Sequence, residues 1–134
     1  MRFQDLLAYK KSFEVAMAIF EVSKNFPSEE KFSLTDQARR SSRSVSANIA
    51  EATRKRIYEK HFISKLTDSD AENSETQVWL EYAYSCGYLD LKVFNSLTEK
   101  SLEVGKLLNY MMRNPNKFLS SEIFKVIKVL KSAD

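Results

Sequence analysis

Apolar residues recur along this chain at helical spacing in four long blocks separated by short stops. The first block runs from about Gln4 to Asn25, with Phe3, Leu6, Leu7, Phe13, Met17 and Phe20 on the expected inner face and Lys10, Lys11 and Glu14 outside. Phe26-Pro27 ends it, because the residue before a proline is pushed out of the α region. Ser28-Glu29-Glu30-Lys31-Phe32 then reads as a connecting loop. Ser33 is the expected N-cap of the second block, with Asp36 three residues on as a capping-box partner.

The second block, LTDQARRSSRSVSANIAEATRKR from Leu34 to Arg56, keeps its polar residues in register. Arg40, Ser44, Asn48 and Glu51 fall at i, i+4, i+8 and i+11 and form one polar stripe. Val45, Ile49 and Ala52 make an adjoining stripe that can pack on another helix. The third block, about Tyr58 to Cys86, offers Phe62, Leu66, Thr76, Trp79 and Ala83 as inner positions, and Gly87 sits where a left-handed C-cap is expected. Asp90 can cap the fourth, which carries Phe94, Leu97, Val104, Leu107, Leu108, Met111 and Met112 and stops before Asn114-Pro115. Four amphipathic helices with short connections predict an all-α fold, an antiparallel up-down four-helix bundle over residues 1–115. Trp79, Phe13, Phe20, Phe94 and Leu108 are its expected core. Residues 116–134 form a C-terminal amphipathic tail, in which Ile123, Ile127 and Leu130 share one side and Lys125, Lys128 and Lys131 the other.

Composition agrees with this pattern. Two glycines and two prolines in 134 residues are too few for a strand-rich fold with its frequent turns. A lone Cys86 excludes an internal disulfide framework and a Cys-based zinc site, and is expected to be a small core residue. The N-terminal MRFQDLLAYKK carries charge inside its apolar pattern, unlike a signal peptide or a membrane span. These features lead to the expectation of a cytoplasmic protein with no membrane contact.

Net charge is only +3, but it is unevenly spread. From Leu34 to His61 seven cations face three acids, whereas from Leu66 to Leu91 there are six acids and no cation. The central charges of these neighbouring helices are expected to neutralise each other. Arg54-Lys55-Arg56, at a helix end, is harder to neutralise internally. Together with Arg39 and Arg43 it forms the candidate nucleic-acid contact: Arg43 and Arg54 are eleven residues apart and share a helix face.

The stripe Arg40, Ser44, Asn48, Glu51 admits two readings, a functional surface or a structural polar layer against Ser69, Glu72 and Glu75 of the third helix. The opposite charge of that helix and the small residues between favour the layer, with Arg40 bonded to Glu72 or Glu75. Glu72, Glu75 and Glu51 also resemble part of a carboxylate metal centre. A di-iron bundle needs two Glu-x-x-His pairs, however, and His61 is the chain's single histidine, so no metal and no cofactor are expected. His61 reads as a solvated residue. A nucleophile, base and stabiliser cannot be assembled from the motifs, so no catalytic residue is assigned and the chain is not expected to be an enzyme.

Several of these motifs resemble the bacterial four-helix-bundle proteins named for 23S ribosomal RNA intervening sequences. They are Phe3-Gln4-Asp5-Leu6; Asn25-Phe26-Pro27 with Glu30 and Leu34; Gln37-Ala38-Arg39-Arg40-Ser41; Ser44-Val45; and Asn48-Ile49-Ala50-Glu51. Ser69, Glu72, Glu75 and Gly87-Tyr88-Leu89 match further on, so the resemblance spans roughly Met1 to Met112. Ala52 departs from the pattern, which usually has glycine after the glutamate; a smoother second helix is expected there. The resemblance implies a left-handed antiparallel bundle assembled as a ring of five subunits. It also implies kinship with an accessory protein of diversity-generating retroelements, whose basic surface engages nucleic acid and a reverse transcriptase. It implies no catalytic activity, and the family name records gene location.

The expected function is therefore that of a non-enzymatic homo-oligomer, a homopentamer by resemblance, binding RNA, DNA or a nucleoprotein through sequence-tolerant phosphate contacts. The rival is a protein-protein scaffold or accessory subunit with no nucleic-acid contact, using the tail or exposed aromatics such as Tyr82, Tyr84 and Tyr110.

Overall fold

The computed structural model describes residues 1–119 and 129–130. Four helices, α1 Leu7–Ser23, α2 Leu34–Arg54, α3 Glu59–Ser85 and α4 Leu91–Arg113, follow one another through short connections. One-turn 3-10 helices occur at Phe3–Asp5, Ser28–Glu30 and Pro115–Lys117. Among the described residues there is no strand, and no helix is long and apolar enough to cross a membrane. Each helix packs on its neighbours in sequence, and α4 closes back on α1. The pairing of α2 with α3 runs antiparallel: Lys65 meets Glu51, Ser69 meets Val45 and Thr76 meets Ser41.

The helix stops follow the expected chemistry. Gly87 adopts φ +80° after α3, while Tyr88 N donates to Ala83 O at 2.8 Å and Gly87 N to Tyr84 O at 3.0 Å. That is the paired bonding of a Schellman cap, which satisfies carbonyls the helix end would otherwise leave open. Asp90 Oδ1 accepts from Val93 N at 2.8 Å and caps α4. Ser33 differs from expectation. Its hydroxyl donates to Glu30 Oε1 at 2.6 Å, outside α2, and makes no cap bond.

Burial corrects the sequence reading most strongly in α1. Its inner face is Ala8, Ser12, Val15, Ala16, Ile19 and Ser23, whereas Phe13 is 50 % and Met17 44 % exposed, and Leu7 is exposed as well. Small residues win the inner face because α1 approaches α2 closely enough for Ser12 Oγ to donate to Ser46 Oγ at 3.2 Å. Of the expected core, Leu108 is fully buried; Trp79, Phe20 and Phe94 are only half-buried. Phe62, Leu66 and Ile49, expected inside, fill the centre together with Ile19 and Leu80, each contributing about 1.5–3 kcal/mol by its burial. Cys86 is exposed and is not a core residue. His61 is exposed beside Tyr58, with ring centroids 5.3 Å apart.

Around the middle of the bundle runs a layer of small polar side chains. Ser12 meets Ser46, Thr76 Oγ1 donates to Ser41 Oγ at 2.9 Å, Ser69 Oγ donates to the Val45 carbonyl at 2.8 Å, and Asn73 pairs with Ser101. All four helices contribute, and each side chain named here has a partner, so the layer fixes helix register at little desolvation cost.

After α4, Phe118 folds back so that its ring lies 6.4 Å from that of Phe62, and the bundle's packing reaches past Pro115. Val129 and Leu130 are helical and exposed. The rest of the expected tail helix, with Ile123 and Ile127, lies outside the described residues.

Candidate nucleic-acid interface

The candidate interface is built on α2 and on the turn that precedes it. The Ser33 hydroxyl holds Glu30, and this hydrogen bond lowers the Glu30 carboxyl below its usual pKa. The anchored turn carries Lys31 and Phe32 outward. Phe32 is 86 % exposed, with Lys31 Nζ 5.4 Å from its ring centroid.

Behind that turn, Phe20 of α1 gathers three cations. Lys24 Nζ lies 4.7 Å, the Arg39 guanidinium 4.9 Å and the Arg43 guanidinium 5.8 Å from its ring centroid. Each such contact is worth about 0.5–1 kcal/mol at an exposed site. Arg39 Nε also donates to Ser23 Oγ at 2.8 Å. That bond leaves the paired Nη groups outside it, and those suit a phosphate. Arg39 is thus held in place without being neutralised.

Arg40 is exposed, and its Nη2 donates to Gln37 Oε1 at 3.1 Å on its own helix. The expected hydrogen bond from Arg40 to a carboxylate of α3 is not formed; Arg40 acts on Glu72 only through space. Ser44 and Asn48 donate to the carbonyls of Arg40 and Ser44, within α2. The row Arg40, Ser44, Asn48, Glu51 therefore lies at the rim of the bundle, and the buried polar row of α2 is Ser41, Ser42, Ser46 and Thr53. Two members of the expected row do reach α3 through Lys65, whose Nζ contacts Glu51 Oε2 at 2.6 Å and Asn48 Oδ1 at 3.2 Å. The Lys65 hydrogen bond lowers the Glu51 pKa, and the same bond raises that of Lys65.

Ser69 is inside the buried layer, while Glu72 and Glu75 are half-buried at its edge. Burial raises the Glu72 pKa, repulsion from Glu75 adds to the rise, and Arg40 opposes it. Glu75 Oε1 accepts from Trp79 Nε1 at 3.2 Å.

Lys31, Phe32, Asp36, Arg39, Arg40 and Arg43 line a groove of about 520 Å³ that is open to solvent. Four cations there face one carboxylate. Further along the same face come Ala47 and Ala50, then Arg54 and Lys55, both exposed. Arg56 is partly used, because its Nη1 donates to the Met1 carbonyl at 3.0 Å. The face thus carries a basic groove at one end and a cation pair at the other, about 16 Å apart at 1.5 Å per residue from Arg43 to Arg54.

Sequence reasoning missed Lys31 and Phe32 as lining of this groove and Phe20 as the ring on which its Arg39 and Arg43 rest. The adjacent Lys31-Phe32 pair in a short polar loop was the available signal; the role of Phe20 required knowing that α1 turns it toward α2.

A second groove, of about 420 Å³, lies beside the first between α1 and α2, and includes Phe13, Met17, Arg43, Ala47 and Ala50. A third, of about 390 Å³, joins Phe32 to Trp79, Tyr82 and Cys86.

A family model described as 23S rRNA-intervening sequence protein matches residues 4–110. The crystal structure of a protein of unknown function from the S23 ribosomal protein family of Bacteroides thetaiotaomicron is similar, with 30 % sequence identity and a TM-score of 0.72. The match covers 84 % of this chain and 99 % of that one. Among curated proteins, none is significantly similar to this chain.

Proposed function

The chain belongs to the 23S rRNA-intervening sequence protein family, and from that membership we propose that it is a non-enzymatic, cytoplasmic, homo-oligomeric bundle that binds RNA or DNA through the basic face of α2. One observation carries the reading: Lys31, Arg39, Arg40 and Arg43 converge on one open groove that holds a single carboxylate, Asp36. Arg54, Lys55 and Arg56 extend the same face, with Arg40 and Lys31 added to the residues the sequence pointed to. A patch of a few charges binds weakly in one subunit and strongly when repeated around a closed assembly.

Support for that assembly comes from the exposed Phe13 and Met17 of α1, next to the small residues Ala47 and Ala50. Small side chains let a neighbouring helix approach closely, and a large exposed apolar patch destabilises a solitary subunit in water. Five copies are the number the family resemblance favours.

Filter binding of labelled RNA and DNA at several salt concentrations tests the reading. Affinity should fall steeply with salt and vary little between sequences. No detectable binding at about 50 mM salt, where phosphate contacts are strongest, would replace it with the scaffold reading. The groove of Trp79, Tyr82 and Phe32 favours that second reading, since aromatic clefts are common anchors for protein partners.

A further inference from the structure

The basic groove ends on a side chain that phosphate binding does not need. Phe32 stands 86 % exposed at its mouth, on a turn held by the 2.6 Å bond from Ser33 to Glu30. An aromatic ring so exposed loses free energy in water unless something covers it. Next to it, Lys31 on the turn and Arg39, Arg40 and Arg43 on α2 supply positive charge, the three arginines along about 6 Å of the helix at 1.5 Å per residue. Charge decides what kind of occupant fits: four cations against Asp36 call for a polyanion.

Among polyanions, a duplex keeps its base faces covered by neighbouring pairs and offers this groove only phosphates. A single strand offers phosphates to the arginines and an open base face to the ring. Phe20 and Ser23 already hold Arg39 in place, so its guanidinium loses little freedom on binding. The pairing of a charged groove with an exposed aromatic is the general means by which proteins hold single strands without reading sequence.

We infer that the groove binds single-stranded nucleic acid, with Phe32 stacking on a base while Lys31, Arg39, Arg40 and Arg43 hold the flanking phosphates. This rests on the proposed nucleic-acid binding and names the form of nucleic acid that the groove takes. Arg54 and Lys55, at the far end of the face, contact phosphates only.

The test measures fluorescence anisotropy of three labelled probes of equal length with the full chain: a single-stranded RNA, its duplex, and a strand in which the central bases are abasic. Wild-type protein should bind the single strand more tightly than the other two at the same salt. Phe32→Ala should weaken single-strand binding about 5- to 150-fold, the range that one stacked base contributes, and should leave duplex and abasic binding unchanged. Phe32→Trp should restore it. Neither variant threatens the fold, because the side chain is exposed.

Binding of all three probes with equal affinity, unaltered by Phe32→Ala, would overturn the inference while leaving the proposed function intact. Binding of none would overturn both. Sedimentation of Phe32→Ala at a lower mass than wild type would place the ring in a contact between copies of the chain, and would overturn the inference as well.

Discussion

Asn73 on α3 and Ser101 on α4 hold each other by two hydrogen bonds of 2.9 Å: Asn73 Nδ2 donates to the Ser101 carbonyl, and Ser101 Oγ donates to Asn73 Oδ1. Both residues are buried, and Gln77 Nε2 adds a bond to the same hydroxyl at 3.0 Å. Asn73→Ala leaves buried donors and acceptors unpaired and should cost about 1–3 kcal/mol. Urea unfolding of that variant, of Ser101→Ala and of the double variant should give a coupling of at least about 0.5 kcal/mol. Strict additivity would show that the pair does not act as a unit.

Acid should separate two carboxylates at the rim. Burial raises the folded-state pKa of Glu72, so its contribution to stability is fully present below the unfolded value and is lost as pH rises through the folded one. Glu72→Gln should therefore raise Tm at pH 7, by less than about 1 kcal/mol in stability after solvent screening, and the gain should vanish near pH 3. Glu51 behaves oppositely. Its pKa is lowered by Lys65, so its contribution is present above the unfolded value and is lost as pH falls. Glu51→Gln should lower Tm at pH 7 and have no effect near pH 3. Thermal melts at the two pH values check both signs, and like signs at pH 7 would contradict the assignment.

Phe13 and Met17 should matter to assembly rather than to folding. Replacing both with serine should leave the unfolding free energy of a subunit nearly unchanged, because each is already about half exposed. Ile19→Ala, on the buried face of the same helix, should cost about 2–5 kcal/mol. In sedimentation, wild-type protein should be a multimer and Phe13→Ser with Met17→Ser should approach the 15.5 kDa monomer. A wild-type monomer at micromolar concentration would remove the oligomer from the account.

The helices and their stops were legible in the sequence because Pro27, Gly87, Asp90 and Pro115 act through local backbone chemistry. The Val45, Ile49 and Ala52 stripe and the burial of Phe62, Leu66, Thr76 and Ala83 were legible for the same reason: one helix's periodicity suffices to place them. The inner face of α1 was not. Ranking side chains by size put Phe13 and Met17 inside, but the close approach of α1 to α2 at Ser12 and Ser46 selects small residues there. The polar stripe of α2 failed by one position. Arg40, Ser44, Asn48 and Glu51 do share a face, yet which side of α2 meets α3 is set by tertiary packing, and Ser41, Ser42 and Ser46 face inward instead. For the candidate site, Arg39, Arg43, Arg54, Lys55 and Arg56 could be chosen from charge distribution alone. The groove that joins Lys31, Phe32 and Arg40 to Arg39 and Arg43 depends on how the turn before α2 folds, and Ser33 was expected to cap the helix rather than to hold Glu30.

The salt dependence of nucleic-acid affinity, measured on wild-type protein and on a variant with Arg39, Arg40 and Arg43 all changed to Gln, tests the central claim most directly. Each phosphate neutralised contributes about 0.7 (single strand) to 0.9 (duplex) to the slope of log affinity against log salt. The wild type should show a steep negative slope, and the triple variant should bind more weakly with a slope reduced by about 2–3 while it remains folded at the assay temperature, since losing the Arg39 and Arg43 contacts to Phe20 and Ser23 costs only part of the stability. A wild-type affinity that ignores salt, or a triple variant that keeps the wild-type slope, would contradict the assignment of the basic face of α2 as the nucleic-acid interface.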